Sequence, residues 1–409
     1  MRSPIGAAGI WLNQDTFMTP FDFDALIERR QTLSTKWSHP DPEMIPMWIA
    51  DMDFAVAPAI QAALRARAEH PVFGYQFDVP ALRQLLVERL AKRHGIAAEP
   101  DQLIFSPGLV VALHAAARAV GEPGTGVVTF TPVYPPFLTA PGTAGKALIP
   151  VPLASQNQDG ILHYEIDFDA LDHALAHADA APCLFMLCNP HNPVGRAFTR
   201  AELEQLAEII LRHDLIVCSD EIHADLTMPD AAHTSFASLS PEIAERTITL
   251  MAPSKAFNIP GLGMGFAVIS SPALRARFKL ITESAGAFVT IFGFEGAQAA
   301  YTQGDAWLEA LRVYLGANRD TLIDYVRENL PQIALTRPEA TYMAWLDCRQ
   351  IGIEGNPSRF FMEKAKVWLN DGAVFGGSGE GFVRLNYGCP RARLLEALDR
   401  MRGALRAYA

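Results

Sequence analysis

The 409-residue chain has no basic tract, and its 34 lysines and arginines are outnumbered by 45 acidic residues, for a net charge of -11. That balance argues against a nucleic-acid binder. No apolar run reaches the roughly 18 residues that a membrane span needs. The opening stretch "MRSPIGAAGIWLNQDTF" has one arginine and no long apolar core, so it does not read as a secretory signal. Because Met18 precedes "TPFDFDALIERR", which looks like a domain start, residues 1–17 read as a leader or a misplaced start. Cysteine is scarce and odd in number: five residues, at 183, 188, 218, 348 and 389, with no CxxC pair. This argues against a disulfide framework and a structural metal site, and fits reduced thiols in a cytoplasmic protein. Lysine is scarcer than arginine, seven against 27, which weakens the reading of a strand-end lysine as casual solubilising charge.

What the chain does have is a 50% hydrophobic composition, enough for a large core, and a length that predicts two domains. Residues 58–69 and 80–94 read as amphipathic helices that open on proline, and 109–120 and 200–213 as two more. Compact apolar runs lie between turn signals at 126–130, 183–188, 215–218, 247–251 and 266–269. Strands alternating with helices predict a doubly wound, mostly parallel α/β sheet covered on both faces. The C-terminal part, with a long helical stretch near 294–330, "ATYMAWLDC", a helix near 357–371, "GFVRLNYGC" and a closing helix, predicts a smaller α+β domain. We assign 18–60 to that smaller domain, 61–296 to the large domain and 297–409 to the rest of the small one.

Three polar clusters follow three strands: "CNPHNPVGR" after "CLFML", "SDEIHADL" after "LIVC", and "APSKAFN" after "TITLM". Ligands of open α/β sheets bind at the carboxyl ends of the strands. An amine, a carboxylate and an amide converging there suit pyridoxal phosphate. Lys255 would form a Schiff base with its aldehyde, Asp220 would pair with the pyridinium nitrogen, and Asn192 would donate to the phenolate oxygen. Taken singly, Asp220 also reads as a helix cap, the Asn-Pro motif as a turn and Lys255 as surface charge; their shared location favours the ligand.

The phosphate needs a cradle, and "FSPGLVVAL" puts a Pro-Gly turn at the mouth of a helix. Gly108, Leu109 and Val110 would supply N–H groups there, with the Ser254 hydroxyl beside them. Tyr134 in "TPVYPPF" is a candidate to stack on the pyridine ring, or an ordinary core aromatic.

With those residues in view, the chain resembles the fold-type I pyridoxal-phosphate superfamily, class I/II aminotransferase-like. Within it, the chain is similar to the MalY/PatB group of cystathionine β-lyases. The resemblance is carried by "RRQTLSTKW", "PMWIADMDF", "FGYQ", "TPVYPPF", "CNPHNPVGR", "SDEIHADL", "APSKAFNIPGL" and "VRLNYGCPR", and runs from about residue 22 to 392. It implies that His223 lies near the phenolate, where many relatives carry tyrosine, or else is a plain helix-start residue. It implies that Arg384 binds the substrate α-carboxylate by a bidentate fork, the alternative being a structural salt bridge. By the same resemblance the Ala50 N–H meets that carboxylate, and Tyr75 reaches the cofactor phosphate of a neighbouring subunit in a homodimer. Aminotransferases with "SKxFxxxGxRxG" carry an arginine eight residues after the lysine; here that residue is Gly263. The implied reaction is α,β-elimination from an S-substituted L-cysteine such as cystathionine, with Lys255 as general base. An aminotransferase, and a regulator that keeps the cofactor only as a ligand, are the other readings.

Overall fold

The computed structural model describes residues 21–408; the segment 1–17, read above as a leader, lies outside them. A seven-stranded sheet runs in the order Leu103–Ser106, Gly265–Ile269, Thr247–Met251, Ile216–Asp220, Pro182–Cys188, Gly126–Thr131, Ala147–Pro152. The last five of these are mutually parallel, while Gly265–Ile269 runs antiparallel to both of its neighbours. All five expected strands are present, within a residue or two of their sequence-based bounds.

Side chains alternate across the sheet, and the two faces fill different cores. Val127, Leu184 and Ile248 pack with the Leu109–Ala119 and Pro272–Ser284 helices. Val128, Phe185 and Val217 pack with Leu203, Leu206 and Ile210 of the Arg200–Arg212 helix. That helix starts where it does because Thr199 and Glu202 form a capping box.

A second sheet, in the order Asn370–Asp371, Phe382–Asn386, Met343–Asp347, Ala334–Thr336, Ile161–Glu165, Ala154–Gln158, is mostly antiparallel. Its last two strands form a hairpin turned at Asp159 and Gly160, both with positive φ. This hairpin comes from the middle of the chain, and its Ile161–Glu165 strand pairs in parallel with Ala334–Thr336. The N-terminal segment joins the same side of the molecule, Ile45 and Pro46 pairing with Val367 and Trp368.

Two expected helices come out shorter. The stretch 294–330 divides at Gly304 into Ile291–Gln303 and Asp305–Asn329. A Cβ at Gly304 would stand 2.4 Å from Ala300 O and 2.6 Å from a Phe257 ring carbon, so the break is a close approach that only glycine allows. The helix expected near 357–371 ends by Ala365, because Lys366 turns left-handed at φ 57° and short strands follow.

Asp53 pins the N-terminal segment. Its carboxylate, 7% exposed, accepts from Lys36 Nζ (2.8 Å), Arg29 Nη1 (2.6 Å) and Trp37 Nε1 (2.9 Å). Those cations hold it below the usual carboxylate range despite its burial. Lys36 is itself 1% exposed, so Asp53→Ala would strand a buried ammonium. We expect a loss of about 3–5 kcal/mol in chemical denaturation. Breaking the exposed Arg200–Glu204 pair with Arg200→Ala should cost under about 0.5 kcal/mol.

Candidate active site

The parallel register lines up three strand ends. Cys188 pairs with Asp220 and Asp220 with Leu250, and each strand then runs into one of the three polar clusters. Asn192 follows the first, Asp220 closes the second, and Lys255 follows the third on the one-turn helix Pro253–Ala256 that also carries Ser254. All three are buried or half-buried.

Arg384 arrives from the second sheet, on the strand Phe382–Asn386, and is 3% exposed. Its Nη1 donates to Asn192 Oδ1 (3.0 Å) and its Nη2 to Trp48 O (2.8 Å), while Nε is buried with no partner among the described residues. Three of the five guanidinium N–H groups therefore remain for a ligand, and Phe375 lies 4.9 Å beneath the guanidinium. With its Oδ1 taken, Asn192 keeps its Nδ2 amide free of protein partners among the described residues. That is the group that the expected donation to a phenolate requires.

The electrostatics follow from burial. Burial, with help from Arg384 and against Asp51 and Asp220, lowers the Lys255 amine to about 8. Burial raises the Asp220 carboxyl to about 7; Glu221 pushes the same way, and the Ile222 N–H and Lys255 oppose it. The guanidinium of Arg384 is lowered to about 10, again chiefly by burial. His223, 2% exposed, is held well below its usual value by burial and then by Lys255 and Arg384, and its Nδ1 has no partner among the described residues. Buried polar atoms without partners cost about 1–3 kcal/mol each, and two of them, on His223 and Arg384, belong to this one cluster.

Ala50 also lies here. Its carbonyl accepts from Lys255 Nζ (2.5 Å) and from the Tyr342 hydroxyl (2.8 Å), and its N–H has no partner among the described residues. A cavity of about 630 Å³ opens past Ile49, Ala50, Asp51, Met52, Lys255 and Asn258 to the surface. Tyr134, half-buried, donates its backbone N–H to Asn192 O (3.1 Å), and its hydroxyl is raised by burial.

Gly108 caps the Leu109–Ala119 helix with no side-chain cap, which leaves the first-turn N–H groups, those of Leu109 and Val110 among them, without intrahelical partners. Among the described residues no atom lies within 4 Å of where a Cβ at Gly108 would be, which leaves room for an anion. Gly263 sits at φ 62°, and a Cβ there would stand 3.0 Å from Pro107 O. An arginine at this position would strain this turn and push into the Pro107–Gly108 corner.

One expected residue lies apart. Tyr75 is 91% exposed and stacks on Phe77, and it does not line the cavity beside Lys255. The sequence reading also assigned no role to Tyr342, Asn386 or Asn258. Asn258, at φ 55°, ties the Lys255 turn to Met52 and Phe54 through its side-chain amide. Asn386 is two residues past Arg384, so strand periodicity alone puts both on one face; nothing in "ATYMAW" singles out Tyr342.

The class I and II aminotransferase family model matches residues 42–401, most of the chain. The chain belongs to that family. Its curated relatives include cystathionine β-lyase PatB of Bacillus subtilis, 38% identical over 391 residues and covering 94% of this chain and all of that one. Among solved structures, the pyridoxal-phosphate-bound C–S lyase from Staphylococcus hominis superposes with a TM-score of 0.88 at 31% identity, over 95% of this chain and 99% of that one. A pyridoxal-phosphate-bound putative aminotransferase from Clostridium difficile gives 0.89 at 33%, over 94% and 100%. The doubly wound α/β architecture is thus the one this family uses.

The raised Asp220 gives a pH test on the cofactor-free protein. A carboxyl near 7 in the folded chain and near 4 unfolded binds more protons when folded, so its penalty is full above pH 7 and relieved as pH falls. Asp220→Asn should therefore raise the denaturation midpoint at pH 8. The gain should shrink steadily between pH 7 and pH 4.

Proposed function

We propose that this protein is a pyridoxal-phosphate-dependent C–S β-lyase that cleaves L-cystathionine or related S-substituted L-cysteines to a thiol, pyruvate and ammonia. The observation that carries the reading is the gathering of Lys255, Asp220, Asn192 and Arg384 in one buried cluster, in which Arg384 Nε and the neighbouring His223 Nδ1 have no partner among the described residues. The relationship to PatB supports the lyase branch.

Bound in this cluster, pyridoxal phosphate supplies an electron sink for the negative charge left at the substrate Cα. Lys255 would anchor it and, once released, take the Cα proton on Nζ; an amine near 8 reaches its neutral, proton-accepting form at mildly alkaline pH. The carboxylate of Asp220 would keep a proton on the pyridine nitrogen, and that partner would in turn keep Asp220 ionised. The amide Nδ2 of Asn192 and the ring of His223 would face the phenolate. Tyr134 would cover the ring. The N–H groups of Gly108, Leu109 and Val110, with the Ser254 hydroxyl, would hold the phosphate, with no arginine at position 263 to help. Arg384 and the Ala50 N–H would take the substrate carboxylate.

We further read the chain as a homodimer in the cytoplasm. Its five cysteines are all free, and no helix among the described residues is long and apolar enough to cross a membrane. Val72, Phe73, Tyr75, Phe77 and Phe288 are each more than half exposed, beside a cavity of about 780 Å³ that Phe77 and Phe288 help to line. Such a strip needs cover, and a second copy would bring its Tyr75 to this site.

The decisive assay supplies L-cystathionine without any 2-oxo acid. Pyruvate and free thiol are expected, and product that forms only when a 2-oxo acid is added would sink the lyase reading in favour of an aminotransferase. Lys255→Ala should remove the visible absorbance of the bound cofactor.

A second measurement addresses the dimer. Tyr75→Ala should weaken cofactor binding by about tenfold or more. Co-refolding it with inactive Lys255→Ala chains should restore part of the turnover, since one site per mixed dimer then holds both residues. No restoration would mean that each site is built from one chain.

A further inference from the structure

Four consecutive carbonyls beside the site are each held by side chains. Trp48 O accepts from Arg384 Nη2 (2.8 Å), Ile49 O from Asn386 Nδ2 (2.7 Å), Ala50 O from Lys255 and Tyr342, and Asp51 O from Asn386 Nδ2 (2.8 Å) and Lys36 Nζ (3.0 Å). Between them the Ala50 N–H keeps no protein partner among the described residues. Ile49 O and the Ala50 N–H are the two edges of one planar trans peptide and point in opposite directions. A donor that grips one edge therefore aims the other.

Asn386 is that donor. It is 1% exposed, both hydrogens of its Nδ2 are used, and its Oδ1 accepts the Gly388 N–H at 2.8 Å. The carboxamide cannot turn without giving up three hydrogen bonds. Its backbone N–H adds a fourth hold, on Met47 O at 2.9 Å. Since Arg384 is two residues away on the same strand face, a single short strand carries both the guanidinium and the group that orients the Ala50 peptide.

We infer that Asn386 is a positioning residue for substrate recognition: by holding the Ile49–Ala50 peptide it aims the Ala50 N–H so that this group and Arg384 engage the α-carboxylate together. The inference rests on the carboxylate reading of Arg384 and Ala50 given above. Asn386 makes no contact with reacting atoms in this scheme. Its effect falls on the discrimination of a carboxylate from a neutral group, not on the chemical step.

The test uses the cofactor-loaded enzyme and a probe pair, L-alanine and L-alaninamide, which share the amine and differ only in the carboxylate. Binding of each is measured by calorimetry. Asn386→Ala should fold, because Ile49 O keeps the Asp51 N–H and Asp51 O keeps Lys36. It should bind L-alanine about tenfold more weakly while its affinity for L-alaninamide stays within about twofold. Asn386→Asp, nearly isosteric but unable to donate, should lose at least as much, and unchanged cofactor absorbance checks that both variants are folded. Equal weakening toward both probes, or no change toward either, overturns the inference by reducing Asn386 to a structural residue. Arg384→Ala separates the two levels. If it leaves the preference for L-alanine intact, the carboxylate reading itself falls; if it abolishes that preference while Asn386→Ala does not, only the present inference falls.

Discussion

The interaction on which the rest depends is the grip on the N-terminal segment between Met47 and Phe54. This stretch has almost no regular structure, yet it must lie within hydrogen-bonding reach of Lys255. Asp53 anchors it through a neutral cluster of two carboxylates and two cations, Arg29 and Lys36 against Asp51 and Asp53. Asn258 fastens it from the lysine turn, and Arg384 and Asn386 fasten it from the second sheet. Buried ion pairs seldom add much net stability over apolar packing. Their value here is geometric, because a loop held by charges and carbonyl contacts on three sides has only one place to lie.

The second constraint is dielectric. Placing Asp220, Lys255, His223 and Arg384 together without bulk water moves each one toward its neutral form. An amine that is half neutral near pH 8 is a usable base, and a carboxyl near 7 is ready to take a cationic partner. These groups are frustrated without a ligand. A cofactor carrying a pyridinium, a phenolate and a phosphate is complementary to that frustration, which is why the pattern of spare donors and acceptors is as informative as the residue types.

Much of this was legible in the sequence. Proline marked where the helices at 58 and 80 begin, and short apolar runs marked the buried parallel strands. Clusters after three strands located Asn192, Asp220 and Lys255, because strand order and strand ends are local properties. What stayed hidden was long-range or irregular. Tyr342 reaches Ala50 across 292 residues and Asn386 reaches Ile49 across 337, and no local pattern encodes such partners. The hairpin at Asp159-Gly160 was readable in principle, since Asp-Gly between alternating residues is a strong turn signal; its strands are too polar and exposed to stand out among apolar runs. The two overlong helices failed at Gly304 and Lys366, where a crowded backbone and a left-handed residue interrupt an otherwise helical text.

That hairpin has a consequence for how the chain is made. Ile161–Glu165 is synthesised about 170 residues before its parallel partner Ala334–Thr336. Until the partner arrives, the nascent protein carries an open strand edge of the kind that invites pairing with other chains. Its exposed, polar companion Ala154–Gln158, with no buried residue, covers the other edge and keeps that side water-compatible meanwhile. The two sheets are interleaved in the chain, so a cut near residue 296 would part Ile161–Glu165 from its Ala334–Thr336 partner. Biogenesis of the whole molecule waits on its last quarter.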